Sequence, residues 1–475
     1  MIIFQWPNIC LILGCGGLSI GLEQSGVAKC RWAIEWDADA AQAFKTNHSE
    51  DCKVVVDDVN KVLREIIDQG NGDDETANSR KEKQLPKKGE VELMCGGPPC
   101  QGFSVMNLFQ ESDKARFKNS LIATYLSFCD YFRPSYFILE NVKNFAQFNG
   151  GRILILCMRA LVMMGYQCQF GVLQAGNFGV AQNRKRAILL AAAPNCPLPH
   201  FPAIMNVFEQ MPLTINVDDK SFDVNSNHWK NNSAPYRNMT ARDAISDLAE
   251  TNKGGQKVLC DDPVTWLQRT IRWCHKKQAY ISQVSHHEEK GTSEIVMARI
   301  ACIPKTLGAD WRDLPNKCVD LPSGRKATKI KYPYIDIKTK KPAVCSCSTK
   351  QGQCRVMDRQ DYTLIPFALV HKAKNHSQWK NCYGRVHWDT YFSTTTTNIH
   401  PEGKQGRVLH PEQDRVLSVR ECARSQGFPD YAEFCGSIHD KYKQIGNAVP
   451  PPMARALGIS ILCAQAETES LKLLY

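Results

Sequence analysis

The residues with the clearest chemical potential lie in Cys95-Gly96-Gly97-Pro98-Pro99-Cys100-Gln101-Gly102-Phe103-Ser104. The segment follows an apolar run at residues 91–94 that reads as a strand. Two glycines and two prolines make a rigid loop at that strand's carboxyl end, where open α/β sheets place their active sites. A cysteine held there, Cys100, is a candidate nucleophile. Taken alone, the segment also reads as a structural turn with an incidental buried thiol. Forty residues later, Phe137-Ile138-Leu139-Glu140-Asn141-Val142 puts a carboxylate after another apolar run. Glu140 there can act as general acid or hydrogen-bond donor to a bound base; a helix cap is the plainer alternative. Arg184 and Arg186, in Gln182-Asn183-Arg184-Lys185-Arg186, stand two apart on extended chain and share one face. They can grip a phosphate or a nucleobase carbonyl, or form a solvated basic strand end.

A second group surrounds the glycine loop Gly14-Cys15-Gly16-Gly17, which joins an apolar run to a helical pattern. Such loops receive nucleotide-type ligands. Glu35, in Ile34-Glu35-Trp36-Asp37, ends the second run, where an acidic residue takes ribose hydroxyls. Asp57-Asp58 ends the third and can take an adenine amino group. Trp36 can stack on that adenine or pack into a core.

In chain order these are a glycine loop, Glu-Trp-Asp, Asp58-Val59, Pro-Pro-Cys-Gln-Gly-Phe-Ser, Glu-Asn-Val and Gln-x-Arg-x-Arg. Arg-Glu-Cys-Ala-Arg-Ser-Gln-Gly-Phe-Pro at residues 420–429 and Gln-Ile-Gly-Asn-Ala-Val-Pro-Pro at 444–451 follow. With them the chain resembles the DNA (cytosine-5) methyltransferase family over nearly its whole length. Residues 164–168 and 403–412 are most similar to the maintenance-type animal members.

The resemblance implies transfer of a methyl group from S-adenosyl-L-methionine to C5 of cytosine in double-stranded DNA, at CpG sites, in the nucleus. Cys100 would add to C6, Glu140 would act at N3, and Arg184 and Arg186 would hold base and backbone. The target base must leave the helix to reach the pocket. The cofactor would lie against Gly14, Gly16, Gly17, Leu18, Glu35, Trp36, Asp58, Val59, Asn447 and Val449. An RNA (tRNA) methyltransferase of the same family is the alternative, as is a catalytically impaired DNA-binding fragment. The family's opening Asp-x-Phe-x-Gly stands here as Cys10, Leu11, Ile12, Leu13 and Gly14. Ile12 replaces the ring that lies against adenine, which is expected to weaken cofactor contacts and points to a truncated or misassembled start.

Two further groups concern DNA and metal. Lys404 and Gln405 lie between Gly403 and Gly406; Lys404 can donate to guanine O6 and N7, and Gln405 can add a base contact. A phosphate contact is the alternative for Lys404. Met106 is a flexible apolar side chain able to fill the space left by a flipped base. Cys345-x-Cys347-x6-Cys354-x16-His371 offers three thiols and one imidazole. That set matches a closed tetrahedral zinc site, hence a structural one; free thiols in a loop are the alternative.

The elements that must carry these groups are legible as apolar runs at 10–13, 32–34, 54–56, 91–94, 136–139 and 187–192. Helical patterns at 38–47, 59–67, 118–132 and 152–165 alternate with them. Alternation of this kind makes βαβ units and a mostly parallel sheet. The fold expected is α/β: a Rossmann-like methyltransferase domain with an inserted, irregular, β-rich target-recognition domain. Its parts are residues 1–194, 195–403 and a return segment 404–475. Residues 69–90 are polar and charged and read as a disordered insertion.

The chain has 475 residues, 43% of them hydrophobic, enough for a large core. A net charge of +11 suits an anionic partner. The 21 cysteines are scattered, which argues against a disulfide framework and for a reducing compartment. Residues 1–22 carry no charge, but they lack a basic leader, contain Pro7 and end in the glycine turn. Neither a signal peptide nor a membrane partner is expected.

Overall fold

The structure, a computed structural model, describes residues 6–11, 14–70, 85–98, 113–208, 213–217, 220–224, 234–251, 257–349, 352–372, 380–403 and 406–472. Its centre is a seven-stranded sheet of β1 (Trp6–Leu11), β2 (Ala28–Glu35), β3 (Lys53–Val56), β4 (Leu93–Gly96), β5 (Tyr136–Val142), β6 (Gln167–Gln174) and β7 (Lys185–Ala192). The spatial order is β3-β2-β1-β4-β5-β7-β6. The pairings from β3 through β5 are parallel, while β7 runs antiparallel to both its neighbours. The order reverses between β1 and β4, and the crevice outside the carboxyl ends at such a switch point is where open α/β sheets bind ligands.

The helices on this sheet are α1 (Gly17–Ser25), α2 (Ala38–Asn47), α3 (Val59–Gly70), α4 (Asp113–Phe132) and α5 (Arg152–Met163). Strand residues alternate between two buried faces. Met94, Phe137, Leu139 and Leu189 meet Val62, Tyr125, Phe128 and Leu161. Leu93, Ile138, Ile188 and Leu190 meet Leu18, Phe44, Met453 and Leu457 on the other side. Burial on both faces is why these strands read as continuous apolar runs.

The mostly parallel Rossmann-like sheet is as expected, with shifts in detail. β1 starts earlier, at Trp6, and Ile12 and Leu13 lie outside the described residues. β6 (QCQFGVLQ) is a strand that no continuous apolar run announces, because it is an edge strand with a half-exposed amino-terminal part. Within the stretch expected to be disordered, α3 continues to Gly70 and Leu85 is buried; residues 71–84 lie outside the description.

Beyond residue 194 regular structure is sparse. Strand pairs of two residues, such as Val258–Leu259 with Gln283–Val284 and Tyr334–Ile335 with Pro342–Ala343, punctuate short helices. Arg407–Leu409 still pairs with Gly384–Arg385 of this region. The chain then forms α6 (Val419–Ser425), α7 (Ile438–Asn447) and α8 (Pro451–Lys472). α8 returns to the sheet and packs on α1. The approach is so close that a Cβ on Gly21 would lie 2.2 Å from the Pro451 carbonyl oxygen, and one on Gly458 would lie 2.1 Å from Ser25 Oγ. No described helix is long and apolar enough to cross a membrane.

Candidate active site and metal centre

In register, Leu11 pairs with Gly96 and Gly96 with Leu139, so the ends of β1, β4 and β5 are level. The next residues along β5 and β4 are Glu140 and Gly97. A Cβ on Gly97 would stand 2.5 Å from Glu140 Oε2, so only glycine lets the loop pass this close to the carboxyl. Asn141 Nδ2 donates to the Pro98 carbonyl at 3.2 Å and ties the loop stem to β5. Cys100 follows two residues on; it and Met106 lie outside the described residues.

Antiparallel pairing sets Arg186 at the start of β7 opposite Val142. Its Nε lies 2.7 Å from Glu140 Oε1, with both side chains 9% exposed. Burial raises the proton affinity of Glu140, and the nearby Arg186 and Arg184 charges only partly oppose it. The result is a carboxyl whose proton affinity is raised and whose orientation is fixed.

Arg184 and Arg186 do different things, although they were expected to share a face and a task. Arg184 is 1% exposed. It donates to the carbonyls of Thr395 (3.0 Å), Gly446 (2.7 Å) and Ala448 (2.8 Å). Its guanidinium therefore fastens the second region and the return segment to the sheet. Gln182 does similar work: its Nε2 donates to Thr395 Oγ1 and Ser425 Oγ, each at 2.9 Å. The motifs contain Gln182 and Asn141, but nothing local in the sequence assigns either a task, because their partners lie far along the chain.

The cofactor candidates gather round the glycine loop. Gly14 N donates to Glu35 Oε2 at 2.7 Å, while Trp36 N and Asp37 N donate to Oε1. A carboxylate accepts about four hydrogen bonds, so Glu35 keeps capacity for a hydroxyl. Space around Gly14 is open, with nothing within 4 Å of a Cβ built there. Trp36 is 72% exposed, which removes the core-packing alternative and leaves its face free. Gly17 instead meets the return segment: a Cβ there would stand 2.3 Å from the Val449 carbonyl oxygen. Leu18 is buried in the core, and Asn447 is exposed at the end of α7. Asp58 accepts from Asn60 N at 2.8 Å, and Val59 opens α3. An open glycine turn, an exposed indole and a carboxylate with spare acceptor capacity fit an adenosine-bearing ligand.

In the second region Cys345, Cys347, Cys354 and His371 converge, their ligand atoms all within 4.8 Å of one another. His371 Nε2 lies 3.1 Å from Cys347 Sγ and 3.3 Å from Cys354 Sγ. A tetrahedral set at thiolate–zinc bond lengths has edges of about 3.8 Å, so the donors need little movement to close on an ion. Burial and the two neighbouring thiols push the Cys347 thiol up to about 12. A cation would reverse that, since a coordinating thiol is deprotonated outright. The ring of Phe367 stacks on His371 at 5.5 Å and fixes its plane. Lys404 and Gln405 lie outside the described residues; the adjoining Gly406 accepts from Gly384 N at 2.8 Å.

A sequence profile of C-5 cytosine-specific DNA methylases matches residues 8–463. DNA (cytosine-5)-methyltransferase PliMCI of Paracentrotus lividus is 48% identical over 466 residues, covering 96% of this chain and 28% of that protein. DNA (cytosine-5)-methyltransferase 1 of Mus musculus is 49% identical over 469 residues, covering 95% of this chain and 28% of that protein. Among solved structures, a prophage-encoded Escherichia coli chain described as a DNA modification methyltransferase shares the fold. It is 18% identical, with a TM-score of 0.55 and coverage of 98% of this chain and 100% of that one. The chain spans less than a third of the length of the curated relatives it matches.

Proposed function

The chain belongs to the C-5 cytosine-specific DNA methylase family, and on that premise we propose that it methylates C5 of cytosine in double-stranded DNA, at CpG sites, in the nucleus. The observation that carries this reading is the buried Glu140–Arg186 pair beside the stem of the Cys100 loop. Cytosine C5 is a poor nucleophile until C6 carries a new substituent. The Cys100 thiolate adds to C6, and Glu140, whose proton affinity burial raises, acts as the proton donor at N3. The electron pair thus released sits at C5. S-adenosyl-L-methionine, when bound, supplies an electrophilic methyl carbon there. Loss of the C5 proton to solvent water, departure of Cys100 as thiolate and return of the N3 proton to Glu140 restore the ring. Arg186 keeps the carboxyl aimed throughout, while Arg184 braces the site from behind.

The domain division follows: residues 1–194 and the return segment carry the chemistry, and the region between them reads the target. Lys404 and Gln405, at the very start of the return segment, serve as base contacts beside it, and Met106 fills the gap left by the flipped base. The Cys345, Cys347, Cys354 and His371 group holds a structural zinc ion. Relatives whose names are DNA methyltransferases favour DNA over RNA as the substrate.

The test is transfer of labelled methyl from S-adenosyl-L-methionine onto a CpG duplex and onto tRNA, with the parent and Cys100→Ser. Labelling of the duplex alone, lost in Cys100→Ser while DNA still binds, is expected, because an alcohol is a far weaker nucleophile at neutral pH. Labelling of tRNA, or turnover that survives in Cys100→Ser, overturns the reading.

A further inference from the structure

Between residues 325 and 359 the chain carries ten lysines and arginines against two acids, a net +8 out of +11 for the whole chain. The two acids, Asp336 and Asp358, are each 6% exposed and turned to internal use. Asp336 accepts from Thr339 N at 2.7 Å, and Asp358 from Tyr334 Oη at 2.7 Å and Ser346 N at 3.0 Å. The nine cations of this stretch that are described are all exposed. Among the described residues only Lys326 of the nine forms an ion pair, with Asp320 at 3.4 Å.

These charges stand on one body. Lys338, Lys340 and Lys341 crown the turn between Tyr334–Ile335 and Pro342–Ala343. The Tyr334 hydroxyl bonds Asp358, between Arg355 and Arg359. Gln360 exchanges hydrogen bonds with the backbone of Lys331. The four metal-ligand candidates lie within the same body, since Ile337 N donates to Ser348 O beside them.

We propose that this knob contacts the phosphates of duplex DNA flanking the methylated site, independently of base sequence; the proposal rests on the function argued above. Exposed cations spread over a hairpin turn and two neighbouring segments match an extended polyanion rather than a single anion in a cleft. Duplex DNA offers one charge per about 1.7 Å of its axis and rewards each neutralised phosphate by counterion release. Contacts of this kind position a protein on DNA without reading sequence.

The experiment uses the full chain with Lys329→Gln, Lys331→Gln, Lys338→Gln and Lys341→Gln combined. Its affinity is measured against salt on a short CpG duplex and on one extending beyond it. On the long duplex, the slope of log K against log salt is expected to become shallower by about 0.9 for each lysine that meets a phosphate. Affinity for the short duplex, kcat on it and metal content stay as in the parent, and the four Lys→Arg changes restore the slope. An unchanged slope and affinity on the long duplex overturn the proposal. So does equal loss on both duplexes, or weakened binding of RNA or an acidic peptide with DNA unaffected. A parent that binds neither duplex overturns instead the function on which the proposal rests.

Discussion

Glu140 and Cys347 are held by different means. Glu140 sits on a seven-residue strand, paired on both edges and buried on both faces. Cys347 sits in a three-residue helical turn, among strands two residues long. Its local apolar cluster has only Ile330, Val344 and Cys345 at its buried centre. The first region positions a polar group by sequestering apolar surface around it. The segment around Cys347 has little such surface and relies on a candidate metal set. Elsewhere the second region has an apolar core of its own, with Ala244, Ile271, Ile300 and Phe392 in one cluster with α6, and buried ion pairs add to it there. Arg424 is fully buried between Asp247 and Asp430. Arg420, equally buried, donates to the carbonyls of Ser285 and Ala432. Apolar packing degrades gradually when one side chain shrinks, whereas a bonded set fails when one partner is lost.

Removing the metal should separate the two regions most sharply. In small zinc domains binding is worth on the order of 10 kcal/mol and is itself folding energy. Purified protein should hold one zinc per chain. Chelation, or Cys347→Ser, should expose residues 325–372 to proteolysis while the sheet keeps its hydrogen-exchange protection. Equal protection with and without metal would erase the contrast.

Arg424→Leu should come next. Taking one member from a buried ion-pair set leaves uncompensated charge and costs about 3–5 kcal/mol. Urea unfolding should show that loss, and a change below about 1 kcal/mol would match a surface pair instead. Glu140→Gln should lower the methylation rate about a hundredfold, with S-adenosyl-L-methionine affinity little changed. A rate equal to the parent's would remove Glu140 from the chemistry.

The smallest effect concerns pH. Burial holds His410 down at about 4, against an ordinary 6.5. Between those values unfolded His410 takes up a proton and folded His410 does not, so stability is lost as pH falls through that window. His286 and His287, also lowered by burial, add to it. The melting temperature should fall from pH 6.5 toward 4, less steeply in His410→Gln; identical slopes would show that His410 contributes nothing.

Much of the first region could be read directly from the chain. The parallel strands gave themselves away because both faces are buried, which forces continuous apolar runs. The glycine turn and the Pro-Pro-Cys loop did so because few residue types fit such backbone. The four metal-ligand candidates were legible as residue types, since soft donors at short spacing have few other uses. What local pattern did not reveal was β6, whose edge position blurs its pattern, and the division of labour between Arg184 and Arg186.

By itself, then, the sequence determined the sheet, its ligand edge and the donor set, all of which depend on residues close together in the chain. The tertiary structure alone decided which charges are structural. Arg184 is held by carbonyls 211, 262 and 264 residues away, and Arg424 by a carboxylate 177 residues away. A buried charge must find its partners wherever the fold brings them. Two arginines that look alike in a motif therefore acquire their tasks only when the distant chain closes over one of them.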